Sequence, residues 1–141
     1  MYHPEEHRTI GQKKNILIIE DEEFLCKLLT IKLEQSGFEV KTSFDGESGL
    51  KAIETNKPDV ILLDLLLPGM DGFEVAKQLK NDPKTSDIPI IVVSNLGEPS
   101  DIAKAEKLGV VEYLVKADYT PDQIVKRVLQ HIEYQKEASP K

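Results

Sequence analysis

The chain has one cysteine, no tryptophan and no long apolar run. With Cys26 alone, an intrachain disulfide is impossible and a C-x-x-C metal or redox motif is excluded. Cys26 lies inside the periodic run FLCKLLTIKL, where a small apolar residue is expected to pack, not to react. No apolar stretch approaches the ~20 residues that cross a bilayer. The N-terminal MYHPEEHRTIGQKKN also lacks the apolar centre of a signal peptide. These two absences predict a soluble, cytoplasmic protein. Basic charge is in deficit as well: 18 Lys+Arg against 25 Asp+Glu leaves a net charge of −7. That balance argues against direct contact with nucleic acid or an anionic membrane, and points to protein partners. At 141 residues the chain can close one hydrophobic core but is short for two ordinary domains.

Residues 1–13 are polar, contain Pro4 and Gly11, and follow neither helical nor strand periodicity, so they read as a flexible arm. His3 and His7 fall in this arm and are expected to be solvated. From Asn15 onward, apolar strands alternate with amphipathic helices, the pattern of βαβ units. Strands are expected at about 15–20, 38–43, 59–64, 89–94 and 111–115. Helices are expected at about 22–36, 45–56, 73–81 and 100–108, with a fifth after Thr120. The first helix carries Phe24, Leu25, Leu28, Leu29 and Leu33 as its expected inner stripe and Gly37 as its C-terminal stop. Phe38, Val40 and Thr42 alternate in the second strand, which suits a sheet edge, whereas DVILLD is apolar throughout and suits the centre. Thr120, Pro121, Asp122 and Gln123 form a capping box with proline at the first helical position.

Five strands and five helices in strict alternation predict a flavodoxin-like α/β fold of three layers: a five-stranded parallel sheet in the order 2-1-3-4-5, with helices on both faces. In such a sheet, ligands bind along the edge formed by the carboxyl ends of the strands. Those ends carry Glu20 and Asp21, Asp64, Ser94 and Lys116. Strands one and three flank the point where the order reverses, so Glu20, Asp21 and Asp64 should lie side by side. Three adjacent carboxylates repel one another unless a cation neutralises them. Magnesium, which prefers hard oxygen ligands, is the natural choice, with manganese as a substitute.

The segments NILIIED, DVILLD, LPGMDG, IPIIVVS and VEYLVK, in that order, resemble the receiver domain of two-component response regulators over roughly residues 14–135, leaving a tail at 136–141. The resemblance implies that Asp64 accepts a phosphoryl group from the phosphohistidine of a sensor histidine kinase or phosphotransfer protein. It assigns Asp21, Asp64 and the backbone carbonyl of Leu66 as direct metal ligands and Glu20 as a ligand through water. Ser94 is then the switch hydroxyl, Lys116 the lysine that contacts the phosphoryl group, and Tyr113 the switch aromatic. Leu66 and Leu96 occupy the positions where the family tunes phosphoryl lifetime. Asn95 stands where a smaller residue is usual. Output is expected through protein contacts on the face of helix four, strand five and helix five, where Lys104, Lys107, Lys126 and Arg127 alternate with apolar residues. The protein is expected to be a monomer or a phosphorylation-dependent dimer, and either a stand-alone receiver or one excised from a longer regulator.

One departure leaves an alternative open. Ala117 follows Lys116 where the family usually has a proline preceded by a cis bond. The bond is either cis here too, or the loop is rebuilt in trans, and a rebuilt loop could turn the amine away from Asp64. Two other readings compete with the signalling one. A phosphorylation-independent docking module would keep the fold without the chemistry. A haloacid-dehalogenase-like phosphatase would use an aspartate at a strand tip, but it wants a second acid two residues later, where Leu66 stands. The domain is therefore read as a signalling protein that catalyses only its own phosphoryl transfer and self-dephosphorylation.

Overall fold

Short runs of β-branched and leucine residues make the sheet: β1 (Asn15–Ile19), β2 (Glu39–Ser43), β3 (Val60–Leu63), β4 (Ile90–Ser94) and β5 (Glu112–Val115). The computed structural model describes residues 14–138. The arm at 1–13, with His3 and His7, and Ser139 and Pro140 at the tail lie outside the described residues. All pairings are parallel and the order is β2-β1-β3-β4-β5, as expected. The connecting helices are α1 (Glu23–Gln35), α2 (Gly46–Thr55), α3 (Gly72–Asn81), α4 (Pro99–Lys107) and α5 (Pro121–Ala138), with a single 3-10 turn at Lys116–Asp118. α5 runs past residue 135 because Gln135, Lys136, Glu137 and Ala138 all favour helix and no breaker intervenes.

Strand alternation divides the core in two. Ile16 and Ile18 of β1, Val60 and Leu62 of β3, and Ile91 and Val93 of β4 face α1 and α5, where Leu29, Leu33, Ile124 and Val128 meet them. The alternate residues, Leu17 and Ile19, Ile61 and Leu63, Ile90 and Val92, face Ile53 of α2, Val75 and Leu79 of α3, and Ala105 of α4. A strand buried on both faces reads as a continuous apolar run, which is why β3 is wholly apolar and β1 and β4 carry a polar residue only at one end, Asn15 and Ser94. Phe38 and Val40 beside the edge strand pack on the first core, but Thr42 is exposed.

The inner stripe of α1 differs from expectation. Phe24 is 76% exposed, whereas Cys26 is buried with Leu29 and Leu33. The buried positions follow i, i+3, i+7 from Cys26, and Phe24 falls off that line with the exposed Ile31. Burial, and then the charge of Glu20, push the Cys26 thiol up, so it remains a packed, protonated group.

The helix ends are fixed locally. Asp45 and Asp71 cap α2 and α3 by accepting from the Ser48 and Glu74 amides at 2.8 and 3.0 Å. The predicted capping box closes α5, with Gln123 N–H donating to Thr120 Oγ1 at 3.1 Å and Thr120 N–H to Gln123 Oε1 at 2.8 Å. Gly37 ends α1 at φ +97°, a conformation costly for any residue with a Cβ.

Gly72 is the tightest joint. It opens α3 against the β3 tip, donates to the Leu65 carbonyl at 3.0 Å, and a Cβ there would stand 2.4 Å from the Asp64 carbonyl oxygen and 2.5 Å from Leu65 Cα. Both obstacles are backbone, so neither can rotate aside. Gly72→Ala is expected to lower stability by about 2 kcal/mol, the usual scale for an overpacked site, measured as the shift of the urea unfolding midpoint. An unchanged midpoint would show that the α3 joint has slack.

Candidate functional site

Sheet register gathers the acidic tips before any side chain is considered. The chain leaves β1 with the Glu20 N–H bonded to the Ser43 carbonyl at 2.9 Å, and leaves β3 with the Asp64 N–H bonded to the Ile19 carbonyl at 3.0 Å. These bonds extend the ladder one step beyond the strands and set Glu20 and Asp64 side by side. Both are 3% exposed. Together with exposed Asp21 they offer carboxylate oxygens that all lie within 4.8 Å of one another, a spacing at which one divalent cation can engage all three.

Lys116 reaches the same place from the end of β5. Its Nζ lies 3.0 Å from Glu20 Oε2, 3.0 Å from Asp64 Oδ2 and 3.1 Å from Glu22 Oε1, so each ammonium proton has a carboxylate acceptor. No peptide bond among the described residues is cis. The loop after Lys116 is therefore the rebuilt one, with a 3-10 turn closed by the Tyr119 N–H on the Lys116 carbonyl at 3.3 Å. The amine nonetheless faces Asp64. Burial opposes the lysine charge, but hydrogen bonds to Asp64 and Glu20 and their negative charges outweigh it and raise its pKa above the ordinary value.

Asp64 is held from a second side. The Leu66 amide donates to Asp64 Oδ1 at 3.1 Å. The Leu66 side chain itself is 50% exposed, at the mouth of the site. Ser94 ends β4 fully buried, and its Oγ accepts the Leu96 N–H at 3.3 Å while its own proton has no acceptor among the described residues. The Tyr113 hydroxyl donates to the Leu96 carbonyl at 2.6 Å, so the loop that begins at Ser94 is tied to β5. Burial, then the charges of Asp101 and Asp64, push the Tyr113 phenol up to about 12, keeping it a donor. Asn95 is exposed and Leu96 half-buried.

On the face made by α4, β5 and α5, two of the four predicted basic residues are engaged within the domain. Arg127 and His131 both contact the Glu112 carboxylate. The Lys104 ammonium lies 4.2 Å from the centroid of the Phe73 ring, a cation–π contact. Lys107 and Lys126 remain exposed.

Glu22 is the site residue that sequence reasoning missed. Its N–H donates to Glu20 Oε2 at 2.9 Å while its carboxylate takes Lys116. The run E-D-E-E at residues 20–23 was the available signal, but acids at a helix start are ordinarily explained by the helix dipole.

This sheet order, with an acidic cluster, a buried hydroxyl and a lysine at one edge, defines a class of α/β signalling domain, and comparison with known proteins agrees. The family model "Response regulator receiver domain" matches residues 16–129. The chain belongs to that family. It is 41% identical over 115 residues to the alkaline phosphatase synthesis transcriptional regulatory protein PhoP of Bacillus subtilis, covering 82% of this chain and 47% of that protein. The chain thus spans about half the length of that curated relative. Among solved structures it is similar to the phosphorylated cyanobacterial phytochrome response regulator RcpA, with TM-score 0.77, 30% identity, and coverage of 92% of this chain and 98% of that one. It is also similar to the Mn(2+)-bound form of response regulator Rcp1, with TM-score 0.76, 28% identity, and coverage of 90% and 97%. No helix among the described residues is long and apolar enough to cross a membrane.

The electrostatics carry a pH signature. Burial first, and the Asp64 charge second, raise the Glu20 carboxyl from 4.5 to about 7, against the opposing pull of the Glu22 N–H and Lys116. An acid whose folded pKa is raised binds its proton more tightly when folded. Without a divalent cation, the fold should therefore lose stability as pH rises from about 4.5 through about 7. Glu20→Gln should remove that part of the dependence, on the order of 2 kcal/mol between pH 5 and pH 8. Urea titrations of both proteins in chelator test this, and parallel pH curves for the two would refute the assignment.

Proposed function

We propose that the domain is a phospho-acceptor of a two-component phosphorelay, with Asp64 as the acceptor. A carboxylate oxygen of Asp64 attacks the phosphorus of a phosphohistidine on a sensor histidine kinase or phosphotransfer protein. The P–N bond breaks, the imidazole leaves with its electron pair, and Asp64 becomes an acyl phosphate. The observation that carries this reading is the shared hold on Lys116: one ammonium bonded to both Asp64 and Glu20, within a carboxylate set tight enough for a cation. Such groups supply positioning and charge balance, which is most of what phosphoryl transfer requires.

Asp21, Asp64 and the Leu66 carbonyl would hold Mg2+ or Mn2+ directly and Glu20 through water. When bound, the ion supplies positive charge opposite the oxygens of the transferring group. The residues fit it, since hard oxygen donors converge and Lys116, the one counter-charge bonded to them among the described residues, cannot neutralise them all. Lys116 then follows the phosphoryl oxygens and leaves its ground-state bond to Asp64. The free proton of Ser94 donates to the same oxygens and draws its loop inward. Tyr113, bonded to that loop through Leu96, carries the movement to the α4, β5 and α5 face, where a downstream protein reads it. The working unit spans roughly residues 14–135, acts in the cytoplasm without touching nucleic acid or membrane, is monomeric or dimerises on phosphorylation, and is not a conventional enzyme.

Intact mass after incubation with a small acyl-phosphate donor is the direct test. A magnesium-dependent gain of one phosphoryl group, absent in Asp64→Ala, is expected. No gain in a protein that binds magnesium would instead make the domain a phosphorylation-independent docking module.

Lifetime is the second consequence. Leu66 and Leu96 occupy the family's lifetime-tuning positions and neither side chain can orient an attacking water, so self-dephosphorylation should be slow. Shut-off is then left to a partner phosphatase or to back-transfer. Leu66→Asn or Leu96→Glu should shorten the phosphoryl half-life several-fold, followed as loss of the added mass, and an unchanged half-life in both variants would remove this explanation.

A further inference from the structure

Glu22 occupies the N-cap position of α1 with extended backbone, φ −81° and ψ 99°, yet its side chain makes no cap hydrogen bond. Asp45 and Asp71, in the same position of α2 and α3, both cap, whereas Glu98, the other glutamate at an N-cap, does not. Aspartate at an N-cap ordinarily stabilises its helix by accepting from an amide of the first turn, so the longer glutamate is free for another partner. Glu22 forgoes that contact and extends instead to the Lys116 ammonium. Its backbone does related work, since its N–H fixes the Oε2 oxygen of Glu20 that also binds the lysine.

Lys116 needs such a hold. The residue after it is Ala117, and the loop leaves β5 through a 3-10 turn with Ala117 exposed. A cavity of about 200 Å3 opens beside the lysine, bordered by Glu22, Leu25, Asn95, Ala117, Tyr119 and Ile124. Asp64 does not border it, so it is space into which the amine could turn away from the acceptor. Of the three carboxylates on Lys116, Glu20 and Asp64 belong to the acidic cluster and Glu22 does not. Glu22 is thus the partner left to the lysine when the other two are engaged elsewhere.

We infer that Glu22 is a positioning residue for the phosphoryl transfer: its carboxylate holds the Lys116 ammonium at the acceptor, in place of a stiffer residue after the lysine. This rests on the reading of Asp64 as the acceptor. Charge alone predicts the opposite effect, because removing an acid near the path of an anionic donor should speed its approach.

The test uses Glu22→Ser and Glu22→Gln in the full chain. Serine is a strong N-cap residue but too short to reach Lys116, so α1 should be at least as stable. Glutamine keeps an acceptor oxygen at the same reach. With saturating magnesium and a small acyl-phosphate donor, Glu22→Ser should take up the phosphoryl group about tenfold more slowly, the scale of a misplaced catalytic group, while Glu22→Gln keeps the wild-type rate or exceeds it. With magnesium bound, NMR of the Lys116 ζ-ammonium should show a less ordered amine in Glu22→Ser only. A wild-type rate, or an unchanged lysine order, in a folded Glu22→Ser protein would overturn the inference. If the wild type itself takes up no phosphoryl group, the acceptor reading fails and the lysine order alone decides on Glu22.

Discussion

Everything at the carboxyl edge of the sheet depends on one ammonium group among buried acids. Two ionised carboxylates at 4.8 Å, the outer limit of spacing in this cluster, would repel by roughly 3 kcal/mol at an effective dielectric constant of 20. Glu20 and Asp64 are also almost wholly removed from water. Lys116 offsets both costs at once. The sheet order determines how it can do so. β5 lies two strands, roughly 10 Å, from β3, so the counter-charge must cross the tip of β4. A long side chain is needed on β5 and a small one on β4, and those are the residues present: Lys116 reaches over, and fully buried Ser94 ends the strand between.

The core exists to hold those tips in register. Strands apolar on both faces are clamped between α1 with α5 on one side and α2, α3 and α4 on the other. One residue of slip would invert which side chains face which layer, so the register is strongly specified. The joints nearest the site are tight, with Gly72 against the Asp64 carbonyl and Gly49 against the Ile19 side chain. The segment after Ser94 has no regular structure before α4 and is joined to β5 through the Tyr113 hydroxyl. A packed floor with one tethered loop is an arrangement that the proposed response to a small charged group could use.

How much of this the amino-acid sequence discloses follows from what kind of information each part needs. Strand positions, their order and the five tip residues are readable because strand runs, turn residues and the crossover rule operate on residue type alone. The capping box at Thr120 and Gln123 is readable for the same reason, since its spacing dictates its geometry. Side-chain direction is not carried by spacing. Phe24 fits a loose helical stripe as well as Cys26 does, and only the packing of α1 on α5 chooses between them. Arg127 looks like a free surface charge until β5 brings Glu112 beside it. Glu22 had two legitimate local uses, as a cap and as a dipole charge, and a residue 94 positions away claimed it instead.

Charge counting shows that the described site carries more acid than its ammonium can balance. Among the described residues, Glu20, Glu22 and Asp64 converge on the ammonium of Lys116, and Asp21 joins Glu20 and Asp64 in the acidic cluster. That imbalance is tolerable in part because Glu20 keeps its proton to about pH 7, and in part because Asp21 and Glu22 are exposed. An acyl phosphate at Asp64 would exchange one negative charge for about two, taking a phosphate monoester as the guide. Lys116, already shared three ways, has no further proton to offer without releasing an acid. On the proposed reading, a divalent cation held by Asp21 and Asp64 would supply charge that relieves both sides of that conflict. With those acids neutralised, Lys116 would be free to follow the phosphoryl oxygens. The cation and the lysine would then not be redundant positive charges, since the first would decide whether the second is available.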